Sequence, residues 1–228
     1  GGLGDVYKRQ QSILEGASIV IWTTTPWTIP GNRAVAYGEQ FDYGVYQVEE
    51  IDEESTAIVG EKLVIGCALA EEVEKAAKIT KMRQIGSIKG ADFSEAILSH
   101  PLRGSGFDFN VPMLPADFVT LEQGSGFVHI APGAGSDDFE LGLEHGLEVV
   151  TNVDDSGKFY DHIPLVSGMD VIKDNYQIAM IVKKAGALVA VGRLTHSYPH
   201  SWRSKAPLIF RTPPQWFISM ETNDLRKS

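Results

Sequence analysis

The sequence predicts an α+β domain with a twisted, barrel-like sheet at its core and a few peripheral helices. Short runs rich in β-branched and aromatic residues recur along the chain, separated by glycine, proline and aspartate. Three longer stretches carry helical spacing. Of the 228 residues 43% are apolar and 22% charged, which suits a packed core and not a disordered chain.

The opening "GGLGDVYKRQ" fits no periodic pattern; residues 1–16 read as a tag, linker or poorly ordered lead-in. "SIVIWTTT" (18–25) reads as a buried strand ended by Pro26. "AVAYG" (34–38) and "YGVYQVE" (43–49) follow as strands, and the acidic "EEIDEE" (49–54) as a solvated hairpin tip. "ALAEEVEKAAK" (68–78) has helical composition. "DFNVPML" (108–114), "DFVTLE" (117–122) and "GFVHIA" (126–131) are short strand candidates. "SDDFELGLEHG" (136–146) carries helix signals: Ser136 to cap, acids in the first turn, Gly146 to terminate. "VIKDNYQIAMIVKKAG" (171–186) is a further helix, and "LVAVGRLTHSYP" (188–199) and "PLIFRT" (207–212) are late strands.

Composition excludes several classes. No apolar run reaches membrane-span length, and the amino terminus lacks a basic-then-apolar secretory pattern. Cys67 is the only cysteine, so an internal disulfide and a Cys-rich zinc site are excluded and a reducing, cytoplasmic setting is expected. The net charge is −10, unfavourable for nonspecific nucleic-acid binding. It is uneven, however. Residues 173–228 hold nine Lys/Arg against three Asp/Glu, while residues 1–172 hold eleven against twenty-seven. That asymmetry is either a solvated face or a local path for a polyanion.

Two stretches carry the chemistry. In "IVIWTTTPWTIPGN" (19–32) Thr23, Thr24 and Thr25 stand side by side; they are either ordinary strand residues or hydroxyls gathered at a site. In an extended strand Thr24 points away from the other two, so all three share one site only if the chain bends there. In "GSGFVHIAPGAGSDD" (124–138) a strand bearing His129 enters a glycine loop that opens a helix, with Asp137 and Asp138 in its first turn. The helix amino terminus favours both carboxylates as anions; capping alone also explains them. A dinucleotide loop fails because position 138 is aspartate where a third glycine is needed. His129, Asp138 and His145 have no metal-ligand spacing, so no metal is expected. The remaining reading is recognition of an amine or ester by carboxylate, imidazole and hydroxyls.

Together, "WTTTPWTIPGN" and "GSGFVHIAPGAGSDD" resemble the paired signatures of the editing (connective-peptide) domain of isoleucyl-tRNA synthetases, a class I family. Valyl and leucyl relatives typically carry arginine where this chain has Thr25. The resemblance spans residues 17–228: 17–200 as the editing domain, and 201–228 as a return segment toward the synthetase body. The H-I-G-H and K-M-S-K-S motifs of the aminoacylation site do not occur, so ATP-dependent aminoacylation is not expected. Ala134 departs from the family, which commonly has histidine there.

The resemblance implies hydrolysis of the aminoacyl ester of mischarged Val-tRNA(Ile). Thr23, Thr24 and Thr25 would lie near the ester and water, and Asp138 would bind the substrate ammonium. His129 would wall off isoleucine, with Trp27 and Asn32 as further substrate-binding residues. It implies no cofactor. The expected partners are the aminoacylated 3′ end of tRNA(Ile) and the remainder of the synthetase, for a monomer without membrane contact. "HSYPHSWRSK" (196–205) would touch tRNA or pack on the synthetase body. Two alternatives stay open: a noncatalytic module that docks the tRNA acceptor end, and a hydrolase of another small ester.

Overall fold

The computed structural model describes residues 12–192 together with 209, 211 and 212. Two four-stranded sheets form the frame. In the first, β1 (Ser18–Ile19), β4 (Lys62–Gly66), β3 (Asp42–Ile51) and β5 (Ile79–Lys89) lie in the order β1-β4-β3-β5. In the second, β6 (Ile97–Ser99), β7 (Asn110–Pro115), β2 (Ala34–Tyr37) and β8 (Phe127–Ile130) lie in the order β6-β7-β2-β8. The pairs β1/β4 and β2/β7 are parallel and the others antiparallel. The class is α+β, as expected, with two open sheets in place of a closed barrel.

The sheets share an apolar interior. Val35 and Tyr37 of β2, Tyr43 and Val45 of β3, Val64 of β4, Met113 of β7 and Phe127 of β8 pack in one cluster. Tyr43 stacks on Phe127 at 4.4 Å, and Phe93 meets the Tyr43, Tyr37 and Phe127 rings edge-on. Burying aromatic rings of this size supplies the largest single contributions to such a core. The other face of the first sheet is covered by α1 (Ala70–Ala76) through Leu63, Ile65, Leu69 and Ala70. The other face of the second packs Ala34, Ala36 and Ile130 against Leu141 of α2 (Ser136–Glu144). Alanines on β2 let that helix approach closely. A fourth cluster joins α3 (Asn175–Lys184) to Trp27, Ile29, Leu102 and the segment around Val153 and Phe159.

Several sequence expectations need correction. The strand expected over 18–25 pairs only at Ser18 and Ile19, and the chain then leaves the sheet before the threonines. Residues 117–122 form turns and bends, not a strand, although Val119 is buried. Ser136 is the first helical residue and does not cap α2; Gly135 occupies the cap position without a side-chain bond. The third helix begins at Asn175, not 171. Residues 188–192 are irregular; the rest of the first late strand, half of the second, the first ten residues and "HSYPHSWRSK" lie outside the described residues. Strands β4, β5 and β6 lie outside the strands expected from the sequence. Six of the eleven β5 residues are exposed, so its apolar signal is weak even though it makes a long ladder with β3.

Candidate functional site

Where the chain leaves β1 it becomes irregular, and Thr23 folds back locally. Thr25 N–H donates to Thr23 Oγ1 at 3.0 Å, and the two hydroxyl oxygens lie 3.3 Å apart. The chain bends at Thr24, while the two hydroxyls these contacts bring together, Thr23 and Thr25, already share a face in an extended strand. Thr24 lies between them, half-buried. Pro26 then starts a 3₁₀ helix, Pro26–Gly31. Proline suits the first helical position because its missing N–H would have had no partner there.

This short helix depends on outside contacts, since 3₁₀ hydrogen bonds have poor geometry and rarely sustain long runs. At its start, Thr25 C=O accepts from Thr28 N–H at 2.9 Å and from the Thr28 hydroxyl at 2.8 Å. At its end, Ile29 C=O accepts from Asn32 N–H at 3.0 Å. Arg33, stacked 4.3 Å over Phe109, holds the Pro30 and Asn32 carbonyls.

His129 reaches this helix from β8, directly opposite Val35 in the ladder. It is 8% exposed, and both ring nitrogens are engaged. Asn32 Nδ2 contacts the Ala34 carbonyl, which only accepts; this orients the amide so that Nδ2 also donates to His129 Nδ1, at 2.7 Å. Nε2 must then carry the proton and donate to Thr28 Oγ1 at 2.8 Å, freeing the Thr28 hydroxyl hydrogen for the Thr25 carbonyl. One directional chain results, from Asn32 through His129 and Thr28 to Thr25. Burial lowers the His129 pKa to about 4, with nearby His100 adding to the effect, so the ring is neutral.

Beyond His129, the Ala131 N–H donates to Asp138 Oδ2 at 2.8 Å. The carboxylate thus turns back to the loop after β8. Burial raises the Asp138 pKa, and the Ala131 hydrogen bond opposes that rise. Asp137, next to it, is exposed and caps nothing through its side chain. The loop is tight: a Cβ on Gly133 would lie 1.9 Å from the Val150 carbonyl oxygen. Beside the loop, Trp27, Thr28, Gly31, Ala134, Asn152 and Arg211 line a small open cleft. Trp27 itself is a core residue, 6% exposed, with its indole Nε1 buried and unpaired.

Hydrogen bonds thus join Thr23, Thr25, Thr28, Asn32 and His129, while Asp138 holds the Ala131 N–H two residues after His129 and Asp137 and His145 lie exposed at the two ends of α2. No three His, Cys, Asp or Glu side chains converge as a metal site among the described residues. Nor is any helix among them long and apolar enough to cross a membrane. Thr28 and His100 are the members the sequence reading missed. Thr28 sits three residues after Thr25, the spacing of a side chain that bonds back within a turn. His100 carries no such signal, because its partner Ile29 is 71 residues away.

No family model matches the chain. Its fold is that of the editing (CP1) domains of class I aminoacyl-tRNA synthetases. It superimposes on the crystal structure of GlLeuRS-CP1 with a TM-score of 0.59, covering 86% of this chain and 91% of that one at 13% identity. The Plasmodium knowlesi cytosolic leucyl-tRNA synthetase editing domain gives 0.57, covering 81% and 89% at 9% identity. In sequence the chain is 47% identical over 222 residues to the isoleucine–tRNA ligase of Pelagibacter ubique, and 42% identical over 226 residues to that of Bradyrhizobium diazoefficiens. These matches cover 97% and 91% of the chain but only 24% and 23% of the relatives. By sequence nearly the whole chain matches isoleucine–tRNA ligases, of whose length it spans about a quarter.

Proposed function

We propose that this chain hydrolyses the ester linking valine to mischarged tRNA(Ile). The observation that supports this most is the hydrogen-bonded chain from Asn32 through the neutral His129 ring and Thr28 to the backbone of Thr25, whose hydroxyl meets that of Thr23, with the Asp138 carboxylate held by Ala131 two residues after His129. An aminoacyl ester offers an ammonium, a carbonyl and a ribose hydroxyl, and each group matches one need. Asp138 spends one oxygen on the Ala131 N–H and retains acceptor capacity for the ammonium. That cation would also offset the burial which raises the carboxyl pKa.

In the proposed reaction a water held by the threonine hydroxyls adds to the ester carbonyl, the bond between the acyl carbon and the ribose oxygen breaks, and the ribose oxygen takes the proton that the water gives up. Valine and uncharged tRNA leave. An ester this reactive needs positioning and oxyanion stabilisation more than a covalent nucleophile. His129 acts as a rigid wall. Both its nitrogens are already committed, so general-base action would first require breaking the Asn32 bond. One methylene separates valine from isoleucine, worth about 0.8 kcal/mol of burial, so exclusion of isoleucine rests on shape. The rest of the synthetase and the aminoacylated 3′ end of tRNA are the partners in this reading, and aminoacylation is not expected of the chain alone.

The test is deacylation of Val-tRNA(Ile) and Ile-tRNA(Ile) by this chain. Release of valine with isoleucine retained is expected. Binding of the acceptor end without release of either amino acid would instead favour a docking module.

A further inference from the structure

We infer that His100 is a positioning residue for the threonine site, an inference that rests on the editing reading above. His100 directly follows β6, and His129 lies in β8; these are the two edges of one sheet. Each sends a neutral imidazole to the same 3₁₀ helix. His129 acts at the start, through Thr28 onto the Thr25 carbonyl. His100 acts at the end, where Nε2–H donates to the Ile29 carbonyl at 3.0 Å.

The tautomer is set by its partners. His100 Nδ1 accepts from Leu102 N–H at 3.0 Å, so the ring proton must sit on Nε2, facing a carbonyl that only accepts. The ring is 2% exposed, stacked on Phe107 at 4.9 Å and edge-on to Phe109 at 5.1 Å. Packing therefore fixes its orientation and hydrogen bonding fixes its direction. Ile29 C=O also accepts from Asn32 N–H, and Asn32 is the residue that orients His129. The geometry couples the two histidines: loss of the His100 contact frees the Ile29–Asn32 end of the helix and loosens the amide that holds His129 Nδ1. A histidine serving only as packing would have no such consequence at His129.

Two substitutions separate the roles. His100→Asn places an acceptor where Nδ1 stood but cannot reach Ile29. His100→Gln extends an amide N–H to about the position of Nε2. In single-turnover hydrolysis of Val-tRNA(Ile), His100→Asn should lower the maximal rate by about tenfold or more while KM stays within about twofold, the pattern of misplaced reacting groups. His100→Gln should recover most of the rate. The His129 ring ¹⁵N resonances should move in His100→Asn and return toward wild type in His100→Gln. Equal rates and equal His129 resonances in wild type and His100→Asn would overturn the inference. So would identical behaviour of the Asn and Gln variants. A wild-type chain that releases no valine, but whose His129 resonances still respond to His100→Asn, would overturn the editing reading and leave the coupling standing.

Discussion

His129 Nε2–H donates to Thr28 Oγ1 across 2.8 Å and joins residues 101 apart in sequence. The bond decides what the imidazole can do. With Nδ1 accepting from Asn32 and Nε2 donating to Thr28, the ring has no lone pair left for a water. It holds shape, and it transmits that shape to the Thr25 carbonyl.

His129→Ala should therefore alter selectivity. Removing the ring opens space for the extra carbon of isoleucine, and the variant should begin to deacylate Ile-tRNA(Ile) while still acting on Val-tRNA(Ile). Stranding the Asn32 and Thr28 partners should also cost about 1–3 kcal/mol of stability. Paired deacylation assays check the first expectation and denaturant titration the second. Loss of both activities in parallel, with nothing gained on Ile-tRNA, would identify a general base instead.

Asp138→Asn keeps an acceptor for Ala131 N–H but removes the charge. Hydrolysis of Val-tRNA should fall by roughly 10- to 150-fold, the loss of one charge-assisted hydrogen bond worth about 1.5–3 kcal/mol. Folding should be unharmed, because a buried carboxylate whose pKa is already raised is relieved of its desolvation. Asp137→Ala is the companion measurement: the side chain is exposed and caps nothing, so the rate should not change. Wild-type kinetics in Asp138→Asn would remove the carboxylate from ammonium binding.

Stability should fall in mild acid. Burial lowers both His100 and His129 to about 4, below the ordinary value of 6.5. Between those values the unfolded chain binds protons that the folded chain refuses. The stability associated with keeping each ring neutral is thus fully present above 6.5 and is lost as pH drops toward 4. Arg33 and Arg103 near His100 reinforce the refusal, while the Ile29 carbonyl opposes it. Asp138 runs the other way: its raised pKa makes the folded state gain stability as pH falls through that pKa. Denaturant midpoints taken from pH 7.5 to 4.5 should show the histidine trend, with a shallower slope in His129→Gln. A flat profile across that range would contradict neutral burial of the rings.

What was legible in the sequence follows the range of the interactions. β2, β3, β7 and β8 show as compact apolar runs because each buries both faces or alternates cleanly. Thr23, Thr25, His129 and Asp138 stand out because each sits beside proline or glycine punctuation that marks a departure from regular structure. Less visible was what happens between such points. Residues 18–25 read as a strand by composition, yet beyond Val20, which bonds Val64, the chain turns away to deliver the threonines. Ser136 looks like a cap, but the extended Gly135 before it takes that position and Asp138 turns back to Ala131. His100 was invisible because its meaning depends on an edge strand and a carbonyl far apart in the chain.

Thr28→Val isolates the hydroxyl from the bulk of the side chain. Valine is nearly isosteric, so the packing of the 3₁₀ helix should survive, but two bonds are lost together: the acceptor for His129 Nε2–H and the donor to Thr25 C=O. The buried imidazole N–H is left without a partner, which should cost about 1–3 kcal/mol. The Thr25 carbonyl retains Thr28 N–H, so the helix start should loosen without opening. The adjoining Thr23–Thr25 pair then loses its fixed placement, and single-turnover hydrolysis of Val-tRNA should slow more than substrate binding weakens. Thr28→Ser restores the hydroxyl and should recover both rate and stability, separating the hydrogen bond from the lost methyl. The measurements are denaturant midpoints and single-turnover rates for the two variants side by side. If valine and serine at this position gave the same rate, the chain from His129 to Thr25 would have no part in placing the threonines.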